Sequence, residues 1–165
     1  MNKIIVGGVI FLTLAFIFIG SWSAGDKQTP LGEKMPLLDS THIARGAAHP
    51  PYNSNPPTSG WHWAGVAGPG IKNEPVPDEL VLHSLEHGAA VVWYRAGLAA
   101  EEINRIKNAF NSAAGKKIMS PREDLDVPVA LVSWGYLLKL ETVDEARITQ
   151  FIEVNNNRAP EKAPI

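Results

Sequence analysis

The sequence predicts a single small α+β domain, in which helices cover a mixed or antiparallel sheet, preceded by an N-terminal membrane helix and a long Pro/Gly-rich ordered coil. Three observations support this fold class. Ile4–Gly20 is an uncharged run that is apolar except for Thr13, residues 37–77 are rich in Pro, Gly, Asn and Ser without periodicity, and residues 78–155 combine helical periods with apolar runs of strand length. Elements in this order are typical of α+β domains.

Residues 1–24 predict a transmembrane anchor or a signal segment. The apolar run lies at the short end of the roughly 17–25 residues that span a bilayer. Lys3 and the amino terminus favour a cytoplasmic start, which places the rest of the chain outside. Ser21-Trp-Ser23 also permits cleavage by a signal peptidase, so both alternatives stay open. In either case we expect an extracytoplasmic domain, on the periplasmic or cell-surface side, and the uncleaved form would be membrane-anchored.

Residues 25–36 are polar and contain Pro, Gly and Lys, which predicts a linker to a domain over residues 37–165. The chain has no cysteine, so this domain must be stable without the disulfides that are common outside the cytoplasm.

The formal net charge is −2 and the basic residues are scattered, which excludes nucleic acid as a partner.

Local signals predict the elements of the domain. Asp78 suits the N-cap and Gly88 the C-cap of a short helix, and Thr142-Val-Asp-Glu145 has the capping-box pattern of a last helix. The polar tail from Asn155 is expected to fray. Apolar runs and helical spacing predict a strand over residues 89–94, a helix over 98–113 and strands over 117–120, 128–134 and 136–140.

The short helix carries His83 and His87, four residues apart. That spacing places both imidazoles on one face, one turn apart. Neutral imidazoles are ligands of transition metals, and a chain without cysteine has only His and Met for such chemistry. His62 is the best candidate for a third ligand, because the preceding Ser59-Gly60 is flexible backbone that brings an imidazole close.

Two motifs of the chain are long and occur in order. Asn55-Pro-Pro-Thr-Ser-Gly-Trp-His62 is followed by Leu82-His-Ser-Leu-Glu-His-Gly88 and a Val-Val-Trp-Tyr strand. Over about residues 42–134 the chain resembles the family called domain of unknown function 3105, small proteins that usually carry an N-terminal membrane anchor. The resemblance implies a shared fold and a shared His-rich face, and it brings no established reaction.

Met119 decides which metal the sequence favours. On its predicted strand it is either core or a fourth ligand, and three imidazoles with a thioether suit copper, with Cu(I) favoured by the sulfur. Without Met119 the choice lies between Cu(II) and zinc, and the Irving–Williams order favours copper. His42, His49 and Glu86 are weaker candidates. Each is either a ligand or a group that hydrogen-bonds to a metal-bound imidazole and orients it.

The sequence therefore predicts a copper-binding protein that acquires, buffers or delivers the metal to a protein partner, without being an enzyme. Two alternatives stay open. His83-Ser-Leu-Glu-His87 fits the H-x-x-E-H pattern of some zinc peptidases, in which Glu86 would activate a zinc-bound water. The other alternative is a metal-free interaction module at the membrane whose histidines are structural.

Overall fold

The computed structural model of the protein describes residues 28–165, so the predicted membrane segment over residues 1–24 lies outside the described part. Within residues 28–165 the chain forms one α+β domain with three helices and a mixed sheet, which confirms the α+β part of the predicted fold class. In the same range, no helix combines the length and the hydrophobicity needed to cross a membrane.

The helices are α1 (Asp78–Glu86), α2 (Ala100–Ser112) and α3 (Glu145–Asn155). The strands are β1 (Glu33–Lys34), β2 (His42–Ile43), β3 (His62–Trp63), β4 (Gly70–Ile71), β5 (Ala90–Arg95), β6 (Lys117–Arg122), β7 (Val129–Ser133) and β8 (Tyr136–Leu140).

The main sheet has the strand order β1-β8-β7-β5-β6-β4. β6 pairs in parallel with both β5 and β4, and α2 forms the crossover between β5 and β6. The other pairs are antiparallel. β5 is central and covered on both faces, which explains why it is an apolar run without polar alternation.

Successive side chains of the strands enter two separate cores. On one face of the sheet, Val92 packs with Ile106 of α2 and Phe151 of α3. On the other face, Val91 packs with Leu82 of α1. The two cores therefore place α1 on the face of the sheet opposite α2 and α3.

The N-terminal part of the described chain is more structured than the sequence predicts. β1 pairs with β8, and the Asn155 side chain binds both backbone groups of Leu31, at 2.9 Å for each hydrogen bond. The described part of the predicted linker, from Gln28 to Pro36, therefore belongs to the folded domain. Residues 37–77, predicted as coil, contain three two-residue strands, β2, β3 and β4.

The helix ends also differ in part from the prediction. Asp144, within the predicted capping box, is the N-cap of α3, where its carboxylate accepts a hydrogen bond from the Arg147 amide at 3.0 Å. Asp78 is the first residue of α1, after Pro77, and it forms a bidentate ion pair with Arg122 at 2.6 and 3.1 Å. Gly88 lies one residue beyond the C-cap with a φ of 88°, as expected for a C-terminal glycine.

Gly88→Ala tests this helix end. A Cβ at Gly88 would lie 2.9 Å from the Asn157 Cα, whereas a Cβ at Gly97, with a similar φ of 83°, meets no atom within 4 Å. Gly97→Ala should therefore lose only the roughly 1–2 kcal/mol of left-handed backbone strain. Gly88→Ala should lose about 1–3 kcal/mol more through overpacking. Unfolding in urea measures both free energies, and equal losses would contradict the close contact.

Candidate metal centre

The paired strands β2 and β3 bring two histidines together. The strands are parallel, and His42 lies opposite His62 in their register, so both side chains extend to the same side. Their ring centroids are 4.9 Å apart. The two residues are 20 positions apart in the sequence, and the short strand pair is what makes them neighbours.

Helix α1 adds a third imidazole and a carboxylate. The His83 ring lies 4.7 Å from that of His42 and 5.1 Å from that of His62, so the three rings form a nearly equilateral triangle. One helical turn on, the Glu86 carboxylate places Oε2 3.0 Å from His62 Nε2. Candidate ligand atoms of all four residues lie within 4.8 Å of one another. We call this group the inner site.

The backbone orients His62. Its Nδ1 lies 2.8 Å from the Gly60 carbonyl oxygen, and because a carbonyl only accepts, Nδ1 carries a proton. In the neutral ring Nε2 then holds the lone pair, and this atom lies 3.0 Å from Glu86 Oε2. Gly60 has a φ of 132°, and a Cβ there would lie 2.7 Å from the Tyr52 ring. Only glycine fits this turn, and the turn aims the imidazole.

Two nitrogens of the inner site are buried without a hydrogen-bond partner. Among residues 28–165, five buried side-chain polar atoms lack a partner, and His62 Nε2 and His83 Nδ1 are two of these five. An unpaired buried polar group costs about 1–3 kcal/mol. Such groups in one place indicate either a ligand site or a structural weakness.

The distance between His62 Nε2 and Glu86 Oε2 favours the ligand interpretation. At 3.0 Å the two atoms are close enough for a hydrogen bond, yet Nε2 has no hydrogen-bond partner because the direction is wrong. Two ligand atoms on one transition-metal ion, with bonds of about 2.0–2.1 Å, lie roughly 2.9–3.3 Å apart when the ligand–metal–ligand angle is between a right angle and the tetrahedral angle. The observed separation of 3.0 Å falls within this range and therefore fits two ligands of one ion.

Burial and electrostatics keep His83 in the form that binds metals. Burial lowers the pKa of His83, and the neighbouring imidazoles of His87, His62 and His42 lower that pKa further. The ring therefore stays neutral, as a metal ligand must. His62, His83 and Glu86 are buried and His42 is exposed, so the inner site reaches solvent on the side of His42.

The structure assigns His87 to a second group rather than to the inner site. His87 and Glu161, with His83, offer ligand atoms within 4.8 Å of one another. The rings of His83 and His87 lie one turn apart, as the sequence predicts, in an edge-to-face arrangement with centroids 4.4 Å apart. We call His83, His87 and Glu161 the outer group. The predicted set of His62, His83 and His87 is thus divided between two groups that share His83.

The predicted thioether ligand is wrong. Met119 is fully buried in the core on the α2 and α3 face of the sheet, while its neighbour Ile118 faces α1. The alternation along β6 therefore directs the sulfur away from the face that holds α1 and His83. Met119 packs as core, which was the other interpretation of this residue.

His49 belongs to neither group. Its Nδ1 lies 2.8 Å from the Pro50 carbonyl oxygen, its Nε2 lies 3.6 Å from a Glu79 oxygen, and its ring packs against Tyr52 with centroids 4.7 Å apart. Glu161 is the candidate ligand that sequence reasoning missed. It lies in the tail that was expected to fray, and a single glutamate in a polar segment carries no signal that would single it out.

The four groups of the inner site supply three nitrogens and one oxygen. This set suits Zn²⁺ or Cu²⁺, both of which accept imidazole and carboxylate. It suits Mg²⁺ and Ca²⁺ poorly, because those ions prefer oxygen ligands throughout. The protein is therefore a small α+β domain with a His/Glu cluster that could hold a metal ion.

Comparison with known proteins supplies the family. Residues 46–164 match the family described as "Protein of unknown function (DUF3105)", and the chain belongs to it. The match begins after His42 and extends past Glu161. No curated protein matches the chain. No solved structure matches it either.

Met119→Leu tests the correction of the ligand set. Since leucine nearly conserves the volume in the core, we expect a loss of less than about 1.5 kcal/mol in unfolding free energy. Copper affinity should stay within twofold of the wild-type value for both oxidation states, as measured by competition with a Cu(I) and a Cu(II) chelator. A selective loss of Cu(I) affinity would restore the sulfur to the ligand set.

Proposed function

We propose that this protein binds one Cu²⁺ ion at the inner site and serves in handling that metal rather than in turnover of a substrate. The observation that carries the proposal is the convergence of His42, His62, His83 and Glu86, whose candidate ligand atoms lie within 4.8 Å of one another. His62 Nε2 and His83 Nδ1 are buried without a hydrogen-bond partner, and a Glu86 oxygen lies 3.0 Å from His62 Nε2.

The donor set supports Cu²⁺ rather than Cu⁺. The argument for Cu⁺ depended on a thioether, and Met119 lies in the core on the other face of the sheet. For three imidazoles and a carboxylate, the Irving–Williams order places Cu²⁺ above Zn²⁺ at equal availability. Zinc is the alternative ion for the same four groups.

The position of Glu86 supports binding rather than hydrolysis. In an H-x-x-E-H peptidase the two histidines hold the zinc and the glutamate activates a water. Here a Glu86 oxygen lies among the candidate ligand atoms with His42 and His62, while His87 belongs to the outer group. Glu86 is thus a ligand candidate, and no group in the inner site is left over as a general base.

Handling of the metal includes acquisition, buffering or delivery to a protein partner. We place this role on the extracytoplasmic side, at the membrane, because of the apolar segment and basic start at the N-terminus. A cysteine-free site suits that compartment, because imidazole and carboxylate ligands do not oxidise to disulfides there.

Alanine variants of the inner site test the binding directly. The full chain, purified in detergent without a histidine tag, should retain one Cu²⁺ measured by elemental analysis. His62→Ala and His83→Ala each remove a ligand and should weaken the affinity for Cu²⁺ by at least about 100-fold. Loss of a residue that only hydrogen-bonds to a ligand costs less, ~10–100-fold.

His49→Ala is the matched control, because His49 belongs to neither group. It should bind Cu²⁺ as the wild type does. Electron paramagnetic resonance of the bound Cu²⁺ should show nitrogen hyperfine structure in the wild type and the control. Equal retention of copper by all four proteins would contradict the proposal.

Glu86→Gln separates the metal site from the metal-free alternative. If His62 and Glu86 form a buried ion pair, breaking it should cost about 3–5 kcal/mol even in the presence of a chelator. If Glu86 is a ligand, the chelator-treated variant should be at least as stable as the wild type, because a buried charge is removed. Excess Cu²⁺ at 100 times its dissociation constant should then stabilise the wild type by about 2.7 kcal/mol and the variant by less. Thermal and urea unfolding report both results.

A further inference from the structure

The outer group lies beside the inner site and is more open to solvent. His87 Nε2 and Glu161 Oε2 are 3.0 Å apart, with side-chain exposures of 11% and 48%. The corresponding pair of the inner site, His62 and Glu86, is exposed by 0% and 7%. The two pairs thus have the same atoms at the same separation, one buried and one at the surface.

The backbone fixes His87 in the same way as His62. His87 Nδ1 lies 2.6 Å from the Pro164 carbonyl oxygen, so Nδ1 carries a proton, and Nε2, which holds the lone pair of the neutral ring, lies 3.0 Å from a Glu161 oxygen. A carbonyl that holds one ring nitrogen and leaves the other free is the usual support of a metal-bound histidine.

A segment of the chain after α3 holds Glu161 in place. The Glu161 amide donates to the Glu86 carbonyl at 3.1 Å, and the Asn157 amide donates to the Gly88 carbonyl at 2.9 Å. The Lys116 ammonium donates to the carbonyls of His87 and Ala163, at 2.8 and 2.6 Å. Glu161 therefore stands at a defined position over the end of α1, although its side chain is half exposed.

We propose that the outer group is an exchange position through which the metal ion enters and leaves the inner site. This inference rests on the proposed function of the inner site. His83 belongs to both groups, so the same residue offers a ligand atom to an ion in either position. With two imidazoles and one carboxylate, the outer group leaves coordination positions of Cu²⁺ open to water, to a chelator or to a ligand of a protein partner.

An exchange position has a kinetic signature that differs from that of a ligand. Removing an intermediate binding position raises the free-energy barrier by the same amount for uptake and for release of the ion. The rates of uptake and release then fall by the same factor, and the dissociation constant stays constant. Removing a ligand of the resting ion has the opposite result, since release becomes faster and the dissociation constant rises.

Glu161→Gln is the test, with Glu141→Gln as a matched control at an exposed position outside both groups. The probe is Cu²⁺ alone, taken up by the full metal-free chain in detergent and released to excess EDTA. Quenching of tryptophan fluorescence reports both reactions in stopped flow, because Trp61 and Trp63 flank His62. We expect both rates to fall about tenfold in Glu161→Gln, which corresponds to ~1.4 kcal/mol in the barrier. One bound ion and an unchanged dissociation constant should accompany the slower rates.

Four results would overturn the exchange position. Unchanged rates would make His87 and Glu161 an ordinary surface ion pair. Faster release with weaker affinity would make Glu161 a ligand of the resting ion. Two bound ions in the wild type, falling to one in Glu161→Gln, would make the outer group a second stable site. A loss of uptake in Glu141→Gln as large as in Glu161→Gln would assign the effect to surface charge. A wild-type protein that retains no Cu²⁺ is a separate result, because it overturns the proposed function itself.

Discussion

The contact between strand β3 and helix α1 is the interaction on which the candidate site depends. β3 carries His62 and, through its pairing with β2, positions His42; α1 carries His83 and Glu86. No single strand or helix supplies all four of these side chains. The site exists because two elements that are each too short to be stable alone pack against each other and against the sheet.

This packing has a cost that makes the metal interpretation physically coherent. A carboxylate and two unpaired ring nitrogens are buried in the same small volume, and a buried polar group without a hydrogen-bond partner costs free energy. A divalent cation would neutralise Glu86 and give each nitrogen a partner. The fold supports such a site with apolar residues on the other face of α1, including Leu82 and Leu85, which anchor the helix to the sheet.

The two groups around His83 suggest a division of roles within one short helix. Its buried face directs His83 and Glu86 inward, and its C-terminal end places His87 beside the segment that carries Glu161. The residues of the H-x-x-E-H pattern thus contribute to two neighbouring groups of candidate ligands that differ in exposure. The same three residues occur in the motif of some zinc peptidases, so the surrounding structure decides which function they serve.

The sequence by itself determined the fold class, most helix and strand positions, and the spacing of His83 and His87, because these follow from local periodicity and chain geometry. It also singled out His62, whose ring lies 5.1 Å from that of His83. Only the tertiary structure decided that His42 and Glu86 join them, that His87 pairs with Glu161, and that Met119 faces the opposite core. The physical reason is that convergence of distant side chains depends on strand register and on which face of the sheet each residue occupies. A shift of one residue along a strand reverses that face, and no local pattern around Met119 reveals it.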